Sequence, residues 1–206
     1  MRVAEDDRVY AFDGIGDLVN RVLSGHAGSG VAPQSGVRAQ HHQVGPVLAP
    51  QLEAVVLKLA PLAELSLPQR GEITMQCLLT DSGVDISIKG AGRVDLLNRA
   101  QLEKLIAEAN ALNLARFSFD GETIIERAKP TLRMGKAVVA PPPGAFLQPT
   151  ALGEETLARL TLEAVQGAKR VVDLFSGIGT FALRIAEHAE VLAAEGDTEM
   201  LAALKK

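Results

Sequence analysis

Tryptophan is absent from this chain, and aromatic residues make up only 3% of its 206 positions. A single cysteine, Cys77, excludes an intrachain disulfide framework and a cage of thiolate metal ligands, and it fits a reducing cytoplasm. The four histidines (His26, His41, His42 and His188) lack the spacing of metal ligands, and the His41-His42 pair reads as part of a solvated, glutamine-flanked loop. No run of about 18 apolar residues occurs, so no membrane span is expected. The opening MRVAEDDRVYAF has no apolar segment of the kind a secretory signal needs. Lys and Arg nowhere cluster, and the formal net charge is −4, so no global basic field would hold a polyanion.

What is present is apolar residue in quantity, 47%, enough to build a core in one large domain or two small ones. Three regions follow from the patterning. Residues 1–45 read as an irregular N-terminal segment, with a short strand at Val9 to Phe12, a short helix at Asp17 to Leu23, and a patternless Gly/Ser/Gln/His loop from Ser24 to Gly45. Residues 46–140 read as an α/β central domain. Leu52, Val55, Val56 and Leu59 recur at helical spacing until Pro61 disturbs them. Ile73–Leu79 and Val84–Ile88 form a predicted hairpin. Asp95 is the expected cap of a helix whose stripe runs Leu96, Ala100, Leu102, Leu105, Ile106, Ala109 and Leu112. Strands around 115–119, 122–127 and 136–140 follow, with Asp120-Gly121 as a hairpin turn.

Pro141-Pro142-Pro143-Gly144 marks a boundary, and residues 141–206 read as a third region. Thr150 caps a helix to about Gln166, with Leu157, Leu160 and Ala164 expected inward and Gly167 ending it. The order strand 169–175, glycine loop, helix 180–189, strand 191–194 and helix from Asp197 is the opening of a doubly wound parallel sheet.

Two stretches share a Phe-x-Gly-Ile-Gly core, YAFDGIGDL at 10–18 and VVDLFSGIGT at 171–180. A glycine loop between strand and helix exposes amide N–H groups and admits a ligand closely. An acidic residue about 20 positions on should then reach ribose hydroxyls. The second stretch satisfies both conditions, with Glu195 ending the next strand; the first does not, and Gly14 and Gly16 read as an ordinary turn. Gly177 to Ala182 also fits a loose GxGxxA dinucleotide fingerprint, which keeps an NAD-type module open as an alternative. Asp173 argues against it, because a buried carboxylate facing a pyrophosphate is unfavourable. A cofactor with a cationic end and no phosphate suits the site better, and S-adenosyl-L-methionine is such a molecule.

Asp173-Leu174-Phe175-Ser176-Gly177-Ile178-Gly179-Thr180-Phe181 resembles the first motif of class I S-adenosylmethionine-dependent methyltransferases, in the version found in RNA uridine-C5 methyltransferases. Gly144-Ala145-Phe146-Leu147-Gln148 resembles that family's Phe-x-Gln segment. The resemblance covers roughly 46–206. It implies a Rossmann-like sheet, S-adenosyl-L-methionine as cofactor, and RNA (transfer or ribosomal) as partner. It implies that Gln148, Phe175, Thr180 and Glu195 line the cofactor site, that Gly177 and Gly179 shape its floor, and that Asp173 acts on the methionine end. The bland readings stand beside these: Phe175 packing a sheet edge, Gln148 capping a loop, Glu195 starting the last helix.

The departures set the remaining expectations. Nothing in 1–45 reads as the family's β-barrel RNA-binding domain, and one cysteine cannot hold an iron–sulfur cluster. The family's catalytic cysteine and base lie well after the first motif, so no catalytic residue is assigned, and Cys77 is expected in the core. The chain therefore reads as a fragment of an RNA uracil-C5 methyltransferase with an incomplete sheet, inactive by itself. A non-catalytic remnant that self-associates through its open sheet edge is the third alternative.

Overall fold

Val84, Ile86 and Ile88 alternate with Asp85, Ser87 and Lys89, which is the period of a strand with one apolar face. In the computed structural model, which describes residues 9–12, 49–67 and 73–205, this segment is the centre of a five-stranded sheet. The readings of Asp17–Leu23, Ser24–Gly45, Gly14, Gly16 and the first three histidines lie outside the described residues. The sheet runs in the order β1 (Val9–Phe12), β2 (Thr74–Thr80), β3 (Gly83–Lys89), β4 (Arg116–Phe119) and β5 (Glu122–Glu126). All neighbours are antiparallel except β3 and β4, which are parallel. A parallel pair needs a crossover, and α3 (Arg99–Ala111) supplies it. Asp120, at φ 44, and Gly121, at φ 89, form the expected turn between β4 and β5.

One face of this sheet is covered by α1 (Pro50–Val56), α2 (Ala60–Ser66) and α3. Pro61, which breaks the helical spacing in the sequence, sits in the first turn of α2, where its missing N–H costs nothing. Leu52, Leu59, Leu62, Ile86, Leu105 and Phe117 are all fully buried there, each contributing about 1.5–3 kcal/mol. Phe117 and Phe119 meet edge to face with ring centroids 5.1 Å apart.

Asp95 does not cap α3. Asn98 does, accepting a bond from the Gln101 N–H while the Gln101 side chain accepts from the Asn98 N–H. Asp95 instead pairs with Arg93 within a short 3₁₀ turn, and Leu96 is 77% exposed rather than inward. The buried stripe of the helix narrows to Leu105 and Ala109.

The opposite face of the sheet is polar in sequence yet buried. Arg116 and Asp85 form an ion pair there at 2.6 Å, and Arg116 also donates to the Pro141 carbonyl. The proline-rich segment runs across this face. The Gln76 side chain donates to the Ala145 carbonyl at 2.6 Å, and Gly144 (φ 69) lies against Ser87 and Lys89, where a Cβ would come within 3.1 Å of both.

A hairpin of β6 (Leu132–Met134) and β7 (Ala137–Val139) follows the main sheet; β6 has no counterpart in the sequence reading. Leu132, Met134, Val139 and Leu147 join Leu78, from the sheet, in a second buried cluster.

The last part contains α4 (Ala151–Ala164), β8 (Arg170–Leu174), α5 (Ala182–Ile185), β9 (Glu190–Ala194) and α6 (Thr198–Leu204). Strands β8 and β9 pair in parallel, Arg170 opposite Glu190 through Leu174 opposite Ala194. Thr150 caps α4 as expected, accepting from the Gly153 N–H. The expected inward face of α4 is wrong. Leu157 and Leu160 are 42% and 48% exposed, and Ala151, Glu154 and Ala158 are buried instead. On the side that is buried, Glu154 meets Arg184 of α5 at 2.8 Å, a charged contact between helices that the apolar spacing of α4 does not announce. The fold is α/β throughout.

Candidate functional site

Strand β8 places Val172 and Leu174 on one face and Val171 and Asp173 on the other. At its end the backbone turns through Phe175, a non-glycine residue in the left-handed region at φ 60 and 89% exposed. Such a conformation in a bulky residue is strained by about 1–3 kcal/mol and tends to occur where geometry matters. The Ser176 N–H then donates to the Ala194 carbonyl, which ties the start of the loop to the end of β9.

The two glycines serve different ends. Gly179 (φ 94) is packed: a Cβ there would overlap Leu204 of α6 and Leu183. Gly177 (φ 57) is open, with nothing within 4 Å of where a Cβ would sit. Between them Ile178 is fully buried and anchors the loop in the second cluster. The loop is thus held from below and bare above.

Glu195, at the end of β9, reaches back to this loop. One carboxylate oxygen accepts from the Gly177 N–H at 2.7 Å and the other from the Asp197 N–H at 2.9 Å. These N–H groups, that of Asp197 first, hold the Glu195 carboxyl below its usual range. Asp173 is shifted the other way. Burial pushes its pKa up, partly offset by the Ala182 N–H. Its Oδ2 is buried and has no partner among the described residues, and neither has the hydroxyl of Ser176. Two unpaired buried oxygens at one loop are a demand for donors, since buried polar groups are otherwise bonded.

Asp173, Phe175, Gly177, Gly179, Thr180 and Glu195 therefore come together at the ends of the two parallel strands. Gln148 is half-buried and makes no hydrogen bond to the loop among the described residues. Its neighbour Leu147 shares the buried cluster with Ile178 of the loop.

No model of a known protein family matches the chain. Individual proteins do. An uncharacterized RNA methyltransferase of Brucella suis is 42% identical over 174 residues, which are 82% of this chain and 41% of that protein. The 23S rRNA (uracil(1939)-C(5))-methyltransferase RlmD of Aeromonas hydrophila is 28% identical over 162 residues, 76% of this chain and 37% of that one. The chain is a homologue of RNA methyltransferases. It spans about two-fifths of the length of these relatives. In three dimensions it is similar to the Pyrococcus abyssi tRNA (uracil-54, C5)-methyltransferase, solved in complex with S-adenosyl-L-homocysteine. That likeness has a TM-score of 0.58 at 14% identity and covers 82% of this chain and 45% of the other; it shows the fold.

Sequence reasoning missed two buried charged pairs of this homologue, Arg116 with Asp85 and Arg184 with Glu154. Arg184 left a signal, a cation standing between the apolar positions Ala182 and Ile185 of one short helix. Cys77 is fully buried, and burial, with Asp85 nearby, pushes its thiol up to about 12. It is not a thiolate at neutral pH and cannot serve as a nucleophile there.

Proposed function

We propose that this chain carries the cofactor floor of an S-adenosyl-L-methionine-dependent RNA uracil-C5 methyltransferase, in a domain that begins at Pro141 after an N-terminal segment (1–45) and a central α/β domain (46–140). The observation that carries the reading is the bare Gly177 backbone flanked by two carboxylates of opposite character, Asp173 and Glu195.

S-adenosyl-L-methionine supplies an electrophilic methyl group when bound. Asp173, with an unpaired and desolvated oxygen, takes the cationic amino-acid end, directly or through water; a cation beside it favours its ionised form and offsets the effect of burial. Glu195 is anionic across neutral pH, and each of its oxygens retains a lone pair after accepting one N–H, so it can take the ribose hydroxyls without releasing the loop. Gly177 admits the ligand against the backbone, and Gly179 lets the loop close onto α6. Phe175, Thr180 and Gln148 complete the rim. RNA is the methyl acceptor of the whole enzyme, and the residues described here supply neither a reactive thiolate nor an assigned base, so this chain alone is expected to transfer no methyl group.

The test is calorimetric titration of the purified chain with S-adenosyl-L-homocysteine. The expected outcome is saturable binding that weakens about tenfold or more in Glu195→Ala, a loss of about 1.4 kcal/mol. Tighter binding of NAD would sink the reading; methylated RNA from this chain alone would keep the cofactor site and overturn the expectation that the chain is inactive by itself. A second reading, self-association of copies, draws on the exposure of Val172, Leu174 and Leu192 at 60%, 64% and 67%. Sedimentation at rising concentration separates the two.

A further inference from the structure

Buried ion pairs are seldom explained by stability, because the desolvation of two charges consumes most of their attraction. The Glu154–Arg184 pair has side chains only 5% and 9% exposed, so the question is what its geometry delivers. Arg184 divides its fork. One terminal nitrogen, Nη2, donates to Glu154 Oε1 at 2.8 Å and lies 3.5 Å from Glu155. The other, Nη1, donates to the Thr180 carbonyl at 2.6 Å. A planar guanidinium can satisfy two partners at once only with both held at fixed angles. One side chain therefore joins three elements: α5, the last residue of the glycine loop, and the first turn of α4.

The position of Glu154 gives this joint its meaning. It lies one helical turn after Thr150, whose hydroxyl caps α4, and Gln148 is two residues before that cap. Fixing Glu154 to Thr180 therefore fixes the Gln148 segment relative to the loop. Nothing else described bonds the two: their remaining link is the apolar cluster of Leu147 and Ile178, which has no directional preference.

We infer that Arg184 is a positioning residue for cofactor binding, which sets the separation of the two walls of the site, Gln148 on one side and the Gly177–Thr180 loop on the other. This rests on the reading of that site as the cofactor floor.

The test pairs a double substitution with a conservative single one. Glu154→Met/Arg184→Met removes both charges and keeps similar volume, so no orphan charge remains. It is expected to melt within a few degrees of the parent. Its affinity for S-adenosyl-L-homocysteine should fall about tenfold or more, and the amides of residues 177–180 should exchange faster while those of β2 to β4 do not change. Arg184→Lys keeps a charge for Glu154 but loses the second arm, and it should show the same direction of change; it also stands in should the double variant fail to fold. A folded variant of either kind that binds as tightly as the parent, with unaltered loop exchange, would overturn the inference while leaving the cofactor site intact. A parent chain that binds no S-adenosyl-L-homocysteine would remove the site and the inference with it.

Discussion

The central sheet and the parallel pair are built from similar strands with opposite fates. In β3 every residue from Val84 to Ile88 is buried, because three helices cover one face and the proline-rich segment covers the other. In β8 and β9 the apolar residues run consecutively, Val171-Val172 and Val191 to Ala194, and Val172, Leu174 and Leu192 are more than half exposed. Strands of parallel sheets read as continuous apolar runs because both of their faces are normally covered. The sequence of β8 and β9 is thus written for two covered faces, and among the described residues only one cover exists. The difference teaches that stability in this chain resides in the central sheet, while the glycine loop depends on local devices: a buried isoleucine, a packed glycine and an ion pair.

That contrast can be broken most sharply by truncating a side chain in each sheet. Phe117→Ala should lower the free energy of unfolding by about 3–5 kcal/mol, whereas Val172→Ala should change it by about 0.5 kcal/mol or less. Urea denaturation measures both, and equal losses would show that the parallel pair is as well packed as the centre.

The next effect separates the two glycines. Gly179→Ala meets Leu204 and Leu183 from a left-handed backbone, and should destabilise by about 2–4 kcal/mol. Gly177→Ala has open space and only the backbone strain, about 1 kcal/mol; it should spare the melting temperature more than it spares ligand affinity. The reverse ranking would mean that the loop is held by something other than α6.

The smallest effect is a pH dependence. The folded-state pKa of Asp173 is raised, so ionising it opposes folding: the ligand-free chain loses stability as pH rises from near 3.8 through the elevated folded value. Asp173→Asn should abolish that loss, leaving the ligand-free variant at least as stable as the parent at neutral pH while weakening its hold on S-adenosyl-L-homocysteine. Thermal melts from pH 3 to 7 with and without ligand test this, and an Asn variant that binds as well as the parent would remove Asp173 from the site.

The legible parts of the fold were those in which sequence and conformation share a local cause. Asp120-Gly121 turns because its residues accept positive φ, and the hairpin of β2 and β3 follows from alternation. The clustering at the strand ends was legible too, since Asp173 to Thr180 are contiguous and Glu195 closes the next strand. What escaped was decided at a distance. The leucines of α4 mark an apolar side, but the side that is buried carries Glu154, whose partner is an arginine thirty residues on. Asn98 outcompeted Asp95 as a cap because Gln101 could reciprocate. Strand β6 is three residues long and too short to carry a period. Gln148 was placed by resemblance alone, and the structure links its neighbour Leu147, not Gln148 itself, to the loop residue Ile178.

The Pro141–Gly144 segment marked a boundary in the sequence, and boundaries suggest hinges. Its chain mechanics are different. Three consecutive prolines are stiff by themselves, and this run is bracketed by the hydrogen bonds that Arg116 and Gln76 donate to Pro141 and Ala145. The segment is therefore a splint, not a joint. The central sheet therefore carries the chain as far as Ala145 with no torsional slack, and any freedom left to the glycine loop must enter beyond that point, where α4 and its ion pair with Arg184 take over.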